Sequence, residues 1–174
     1  MHEGPGFHAR RPLRWRAGAA PPAVEDQLRV LAAVATLETQ EAIRSEPGEA
    51  PAPELQAIQN RLDLLITLVT QLTLRELGGE RPPAADLQIG VDRLHWPADG
   101  GLEAGPGVLE LHLQAAYPEP LLLAGELTLE DGGAGLRLAA LEEPVSDAWQ
   151  KYVFRHHRRE LARRQAANEE APSS

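Results

Sequence analysis

The sequence contains no cysteine, which excludes disulfides, thiolate catalysis and cysteine-ligated metal. Serine is scarce: Ser45, Ser146, Ser173 and Ser174 are the four present, and none stands in a G-x-S-x-G elbow. Lysine is scarcer, with Lys151 the single one among seventeen basic residues, a bias of composition and not a functional signal. Neither the phosphate-cradling GxxxxGK[ST] loop nor a GxGxxG before a helix occurs. No apolar run is long enough to span a bilayer, because Asp63, Gln71 and Arg75 interrupt the one around Leu64. The start, MHEGPGFHARRPLRWRAG, has no apolar core of the kind a secretory signal needs. Metal ligation from one helix wants histidines three or four apart. His156 and His157 are adjacent, and His95 and His112 stand alone on different predicted strands. The expectation is a soluble cytoplasmic protein with no catalytic residue and no metal site. A net charge of −9 argues against general nucleic-acid binding.

What is present is a long apolar seam. In 54–77, ELQAIQNRLDLLITLVTQLTLREL, the residues Leu55, Ile58, Leu62, Leu65, Val69 and Leu72 recur at alternating steps of three and four. That spacing puts them on one line of a helix that packs lengthwise against another. Ile66 and Leu68 flank the line and widen it, which predicts a bundle of three or four chains rather than two, or a helix that also rests on a globular body. Gly78-Gly79 supplies the stop. The pattern fits self-association and an ordinary core helix equally.

Around this helix the rest falls into place in order. Residues 1–12 carry no period and are expected to be mobile, and Leu13 and Trp15 alternate with arginines as a short strand. A helix follows over 23–44, with Val24, Leu28, Leu31 and Ala35 on its apolar face, and the proline-rich 45–53 ends it. After the seam the period becomes two. Leu87, Ile89 and Val91 share one face and Leu94 and Trp96 the other, so the phase slips near Asp92 through a bulge or sharp bend. Strands over 108–116 and 121–129 follow, the first with Leu109, Leu111 and Leu113 inward and His112 outward, the second with Leu121, Leu123, Leu127 and Leu129 on one face. Asp131-Gly132-Gly133 signals a hairpin into a strand lined by Leu136, Leu138 and Ala140. Four strands of this kind make a small barrel that needs one or two more to close, and 13–16 is the available candidate.

The last helix is expected over 144–165, capped by Ser146, with Trp149, Tyr152, Val153, His156 and Leu161 on one face. Residues 148–165 hold six basic residues and one acid, a charge of +5, so the remainder carries −14. Such a face can bind phosphate or an acidic partner, or it is simply solvated, its cations answering the helix dipole. The fold class is α+β.

This order of elements, with LRWR near the start, RLDLLITLVTQL in the seam and KYVFRHHRREL near the end, resembles the atypical PilZ-like proteins that carry a helical oligomerisation insert. The resemblance divides the chain into an arm with a strand over 1–22, a helical region over 23–79, a PilZ-like barrel with its C-terminal helix over 80–167, and a disordered tail over 168–174. It implies a cyclic di-GMP receptor family that acts in bacterial motility, pilus and exopolysaccharide control. Family binding uses RxxxR before the barrel and [DN]xSxxG on its first main strand. Here Gln88, Gly90 and Arg93 stand at the Asp/Asn, Ser and Gly positions, and Arg75 and Arg81 are six apart. Arg10 and Arg14 have the RxxxR spacing far upstream, and Arg155 and Arg159 have it on the last helix. The expectation is a non-enzymatic regulatory or scaffold protein that assembles as a trimer or tetramer and meets an unidentified protein partner. No cofactor is expected and cyclic di-GMP binding is not carried over. The alternatives are a cyclic di-GMP receptor with a non-standard site that uses Arg93 and the last helix, and an oligomeric nucleic-acid-binding barrel.

Overall fold

The computed structural model describes residues 4–45, 52–76, 81–98, 100–130 and 132–170. Six antiparallel strands close a barrel in the order β1-β2-β3-β6-β5-β4. They are β1 (Gly6–Ala17), β2 (Ala84–Gly90), β3 (Arg93–Trp96), β4 (Gly105–Leu111), β5 (Leu121–Glu130) and β6 (Gly133–Leu138). Three helices accompany them: α1 (Val24–Ser45), α2 (Pro53–Glu76) and α3 (Glu143–Glu170).

Closure depends on β1. Its first half pairs with β2, from Gly6 opposite Gly90 to Pro12 opposite Ala84, and its second half pairs with β4, from Leu13 opposite Leu111 to Ala17 opposite Gly107. Pro12 sits where the strand changes neighbour. Proline has no N–H to give, so this is a place where it interrupts neither ladder. Its carbonyl still accepts the His112 amide at 3.0 Å. The strand is thus three times the four residues expected, and it begins inside the segment expected to be mobile. The barrel is assembled from both ends of the chain, not from 80–167 alone.

The phase slip near Asp92 is a chain reversal. Ile89 pairs with Leu94 and Gln88 with His95, so β2 and β3 form a tight hairpin, and Leu87, Ile89, Leu94 and Trp96 all point into the core. β4 starts three residues before the expected strand and ends five before. Leu109, Leu111 and Leu113 are buried as expected, but His112 is buried too. On β5, Leu121, Leu123 and Leu127 are buried while Leu129 is exposed, because the strand runs past the core. Ala140 is likewise exposed, two residues beyond the end of β6.

α3 seals one side of the barrel with Val145, Trp149, Tyr152 and Val153, all buried. The Trp149 indole donates to the Val91 carbonyl at 3.0 Å and so holds the β2–β3 turn. Ser146 does not cap: its amide already donates to the Glu142 carbonyl within the first turn, and its hydroxyl accepts from Gln150. The helix continues to Glu170, five residues past the expected end, and Leu161 is exposed because it falls on the outward side of the helix, while its neighbour Glu160 still accepts from the His8 amide of β1 at 2.8 Å. α1 lies against α3 and β5 through Gln27, Val30, Leu31, Val34 and Glu38, a face rotated from the apolar one expected. Residues 77–80 and 46–51, with the Gly78-Gly79 stop and most of the 45–53 connection, fall outside the described residues, as do 171–174 of the tail.

Candidate functional site

α2 has no extensive packing against any other element. Leu55, Ile58, Leu62, Leu64, Leu65, Leu68, Val69 and Leu72 are 46 to 59% exposed. Ile66 parts from the expected group. It is half-buried and lies in line with Gln59, Asp63, Thr70 and Thr73, also half-buried, along the flank of the helix. On that flank the Thr70 hydroxyl donates to the Ala116 carbonyl at 3.0 Å. Just past the helix, Arg81 donates to the Ala115 and Tyr117 carbonyls at 2.6 and 3.1 Å. The loop after β4 therefore holds both the helix and the residue that leads back to the barrel, and the apolar seam faces away.

The second candidate surface is the outer wall of β1, β2 and β3. Alternation along β2 puts Leu87 and Ile89 inside and Asp86, Gln88 and Gly90 outside. Antiparallel pairing sets His8 opposite Gln88 and Arg10 opposite Asp86. These residues, with Ala9, Leu87 and His95, line a shallow cleft of about 350 Å³. Arg10 reaches Asp86 at 3.4 Å, both side chains largely exposed. The pairing thus brings the upstream Arg10 beside Gln88, although more than seventy residues separate them in sequence. Gly90 and Arg93 flank the turn at the far end. A side chain at position 90 would stand 3.1 Å from the Arg93 carbonyl oxygen. Arg93 lies beside Arg137, which is taken by Glu126 at 2.8 Å, and makes no ion pair itself among the described residues.

A family model described as the atypical PilZ domain, cyclic di-GMP receptor, matches residues 28–166. The chain belongs to the atypical PilZ family. The matched range begins after β1, so it includes five of the six barrel strands and all but the first residues of α1. The fold is similar to that of a solved PilZ-domain protein from Xanthomonas campestris, described as a tetramer self-assembled via an unusual helical bundle. The TM-score is 0.70, the identity 23%, and the alignment covers 93% of each chain. No curated protein matches.

The arginines expected as counterparts of the family's RxxxR motif are scattered. Arg81 of the Arg75–Arg81 pair is committed to loop carbonyls, and Arg155 of the Arg155–Arg159 pair is committed to Glu38 at 2.6 Å. Arg10 is the one arginine of an RxxxR pair that lands on the same wall as Gln88. Among the described residues no group of three or more His, Cys, Asp or Glu could hold a metal ion. No helix there is long and apolar enough to cross a membrane.

Sequence reading missed Glu38. Its carboxylate is 6% exposed and meets Arg155 Nη1 and His156 Nε2, each at 2.6 Å, tying α1 to α3. Burial alone would raise its pKa. The His156 hydrogen bond and the charges of His156, Arg155 and Arg159 outweigh burial and hold it below the usual 4.5. Phe7 stacks on His156 with centroids 4.7 Å apart, so the pair is walled by aromatic carbon. The signal was a carboxylate on the line Gln27, Val30, Val34, Glu38, which reads as a helix face only when polar residues are admitted to it. Burial pushes the Tyr152 phenol in the same layer up to about 12. Burial, then Arg81, lower the His112 pKa. The +5 helix is thus divided: Arg158 and Arg159 are exposed as expected for a solvated face, whereas Arg155 is partly buried in an ion pair.

Proposed function

We propose that this PilZ protein is a non-enzymatic, cytoplasmic regulatory or scaffold protein in a bacterial cyclic di-GMP, pilus or motility pathway, and that it self-associates through α2. The observation that carries the reading is the seam from Leu55 to Leu72, apolar at helix-pairing spacing and more than 45% exposed at every position named above except Ile66. Burying half of eight aliphatic side chains is worth roughly 6–12 kcal/mol per chain before association costs. A monomer would leave that stabilisation unused and present the stripe to other proteins. The helical bundle of the Xanthomonas campestris protein supports the same use of a helix. The width of the stripe favours three or four chains over two.

Gel filtration with light scattering tests this. The wild type is expected as a trimer or tetramer at tens of micromolar. Leu65→Asp places a charge mid-seam, at a cost of several kcal/mol per chain if it stays buried, and is expected to give smaller species with unchanged β circular dichroism. A wild-type monomer under these conditions overturns the reading. The position of Arg10 beside Gln88 favours a second reading, a cyclic di-GMP receptor with an altered site, and calorimetry with the nucleotide separates the two.

A further inference from the structure

Beyond self-association, α3 carries an outward face that the barrel does not use. Trp149, Tyr152, Val153 and His156 turn one side of the helix inward. Roughly opposite, at spacings of three and four, stand Lys151, Phe154, Arg158 and Leu161, with Arg155 at the margin. Phe154 and Leu161 are 42 and 44% exposed, and they lie two turns apart on the same line. Lys151, Phe154, Arg155 and Arg158 line a shallow cleft of about 530 Å³. Lys151 and Arg158 make neither an ion pair nor a hydrogen bond among the described residues, whereas Arg155 answers Glu38 and Arg164 answers Glu160. The face is an exposed aromatic ring between two unanswered cations, on a chain whose remaining charge is strongly negative.

We propose that this face docks an acidic, partly apolar segment of a partner protein. The proposal rests on the reading of the chain as a protein-binding regulator and names the kind of partner. Lys151 and Arg158 are seven residues apart, about 10 Å along the axis. An extended peptide covers that distance in about three residues. Two carboxylates three residues apart, with a large apolar side chain between them, would reach both cations and cover Phe154. A bilayer or nucleic acid fits less well. Either is an extended polyanion, and it would meet the acidic body as well as this single stripe of cations.

The test uses the full chain and a fluorescein-labelled peptide with the core Glu-Trp-Leu-Glu, followed by anisotropy. The lysine counterpart of the peptide, phosphatidylglycerol–phosphatidylcholine vesicles and single-stranded DNA are run beside it. The expected result is saturable binding of the acidic peptide that weakens as salt rises. The Lys151→Glu/Arg158→Glu double variant is expected to weaken it by about tenfold or more, since like charges then face each other. Phe154→Ser is expected to weaken it several-fold and keep the salt dependence. Leu65→Asp, which tests self-association, is expected to leave binding per chain in place, so the two ideas fail separately. No saturable binding to the wild type, equal affinity of the double variant, or preference for vesicles or DNA over the peptide would each overturn the proposal. Unchanged circular dichroism of the variants guards against unfolding.

Discussion

Replacing Glu38 by Gln removes one charge and keeps the shape, so it isolates what the carboxylate does between α1 and α3. In the native protein each oxygen makes one charge-assisted contact at 2.6 Å, to Arg155 and to His156. Hydrogen bonds to charged groups contribute about 1.5–3 kcal/mol each. The full sum is not lost, because Arg155 is 31% exposed and water can take over its solvation. Gln also retains one acceptor. The expected loss at pH 7 is about 2–3 kcal/mol, less than the 3–5 kcal/mol for orphaning a fully buried charge. The pH dependence sharpens the test. The folded-state pKa of Glu38 is lowered below 4.5, so the fold favours the ionised form. Its stabilisation is present above the unfolded value and disappears as pH falls through the folded one. Wild type and Glu38→Gln should therefore differ at pH 7, and the gap should narrow as pH falls below the usual carboxylate value of 4.5. Urea unfolding at fixed protein concentration, repeated across this range, reads both. Equal stability at pH 7, or a gap that does not narrow as pH falls below 4.5, would refute the account of the ion pair.

Trp149→Ala is expected to cost about 3–5 kcal/mol, as large aromatic truncations in cores do, while Arg158→Ala stays within about 0.5 kcal/mol; thermal unfolding compares them, and equal large losses would place Arg158 in a buried network. At Gly107 an added Cβ would overlap the Arg16 carbonyl oxygen and lie 2.6 Å from the Trp15 ring. Gly107→Ala is expected to cost about 1–3 kcal/mol by overpacking, measurable by the same unfolding curves. Calorimetry with about 100 μM cyclic di-GMP is expected to give no saturable heat, since two or three missing polar contacts at about 1–3 kcal/mol each move a micromolar site towards millimolar. A one-to-one micromolar isotherm would overturn that and make Arg93→Ala the next variant.

The parts of the fold legible in the sequence are those where side-chain chemistry agrees with position. Leu109, Leu111, Leu121, Leu123 and Leu136 alternate with other residues and are buried, and Trp149, Tyr152 and Val153 share a helix face and are buried. The parts that were not legible are those where a long-range partner changes what a residue can do. Glu38 and Gln27 read as surface positions until Arg155, His156 and the Leu122 carbonyl are placed opposite them. His112 is expected to face water as part of a strand, yet β4 ends at Leu111 and His112 is buried just beyond it, close enough to Arg81 for that charge to help lower its pKa. β1 hides for another reason. Phe7, Ala9, Leu13 and Trp15 keep the inward phase, but Arg11 breaks the run, and Pro12 interrupts a strand that has a different neighbour on each side of it. Phe7 and Ala9 were the available signal. Arg10 beside Gln88 follows only from that pairing.

The strand that β1 pairs with, β2, explains how PilZ architecture and ligand chemistry can come apart. On β2 the inward residues Leu87 and Ile89 are 1 and 0% exposed, and they specify the barrel. The outward residues Gln88 and Gly90 lie on the outer wall, at the positions where the resemblance leads us to expect a short amide or acid and a hydroxyl. Because successive side chains point to opposite faces, a substitution at 88 leaves the core contacts of 87 and 89 in place. Nothing in the barrel's stability requires the outer wall to keep a nucleotide. The reverse does not hold, since a site on that wall needs the register that Leu87 and Ile89 set. Recognition of the family therefore constrains the inward half of each strand strongly and the outward half weakly. The exposed chemistry of this chain has to be read from α2, α3 and the cleft around Arg10 on their own terms.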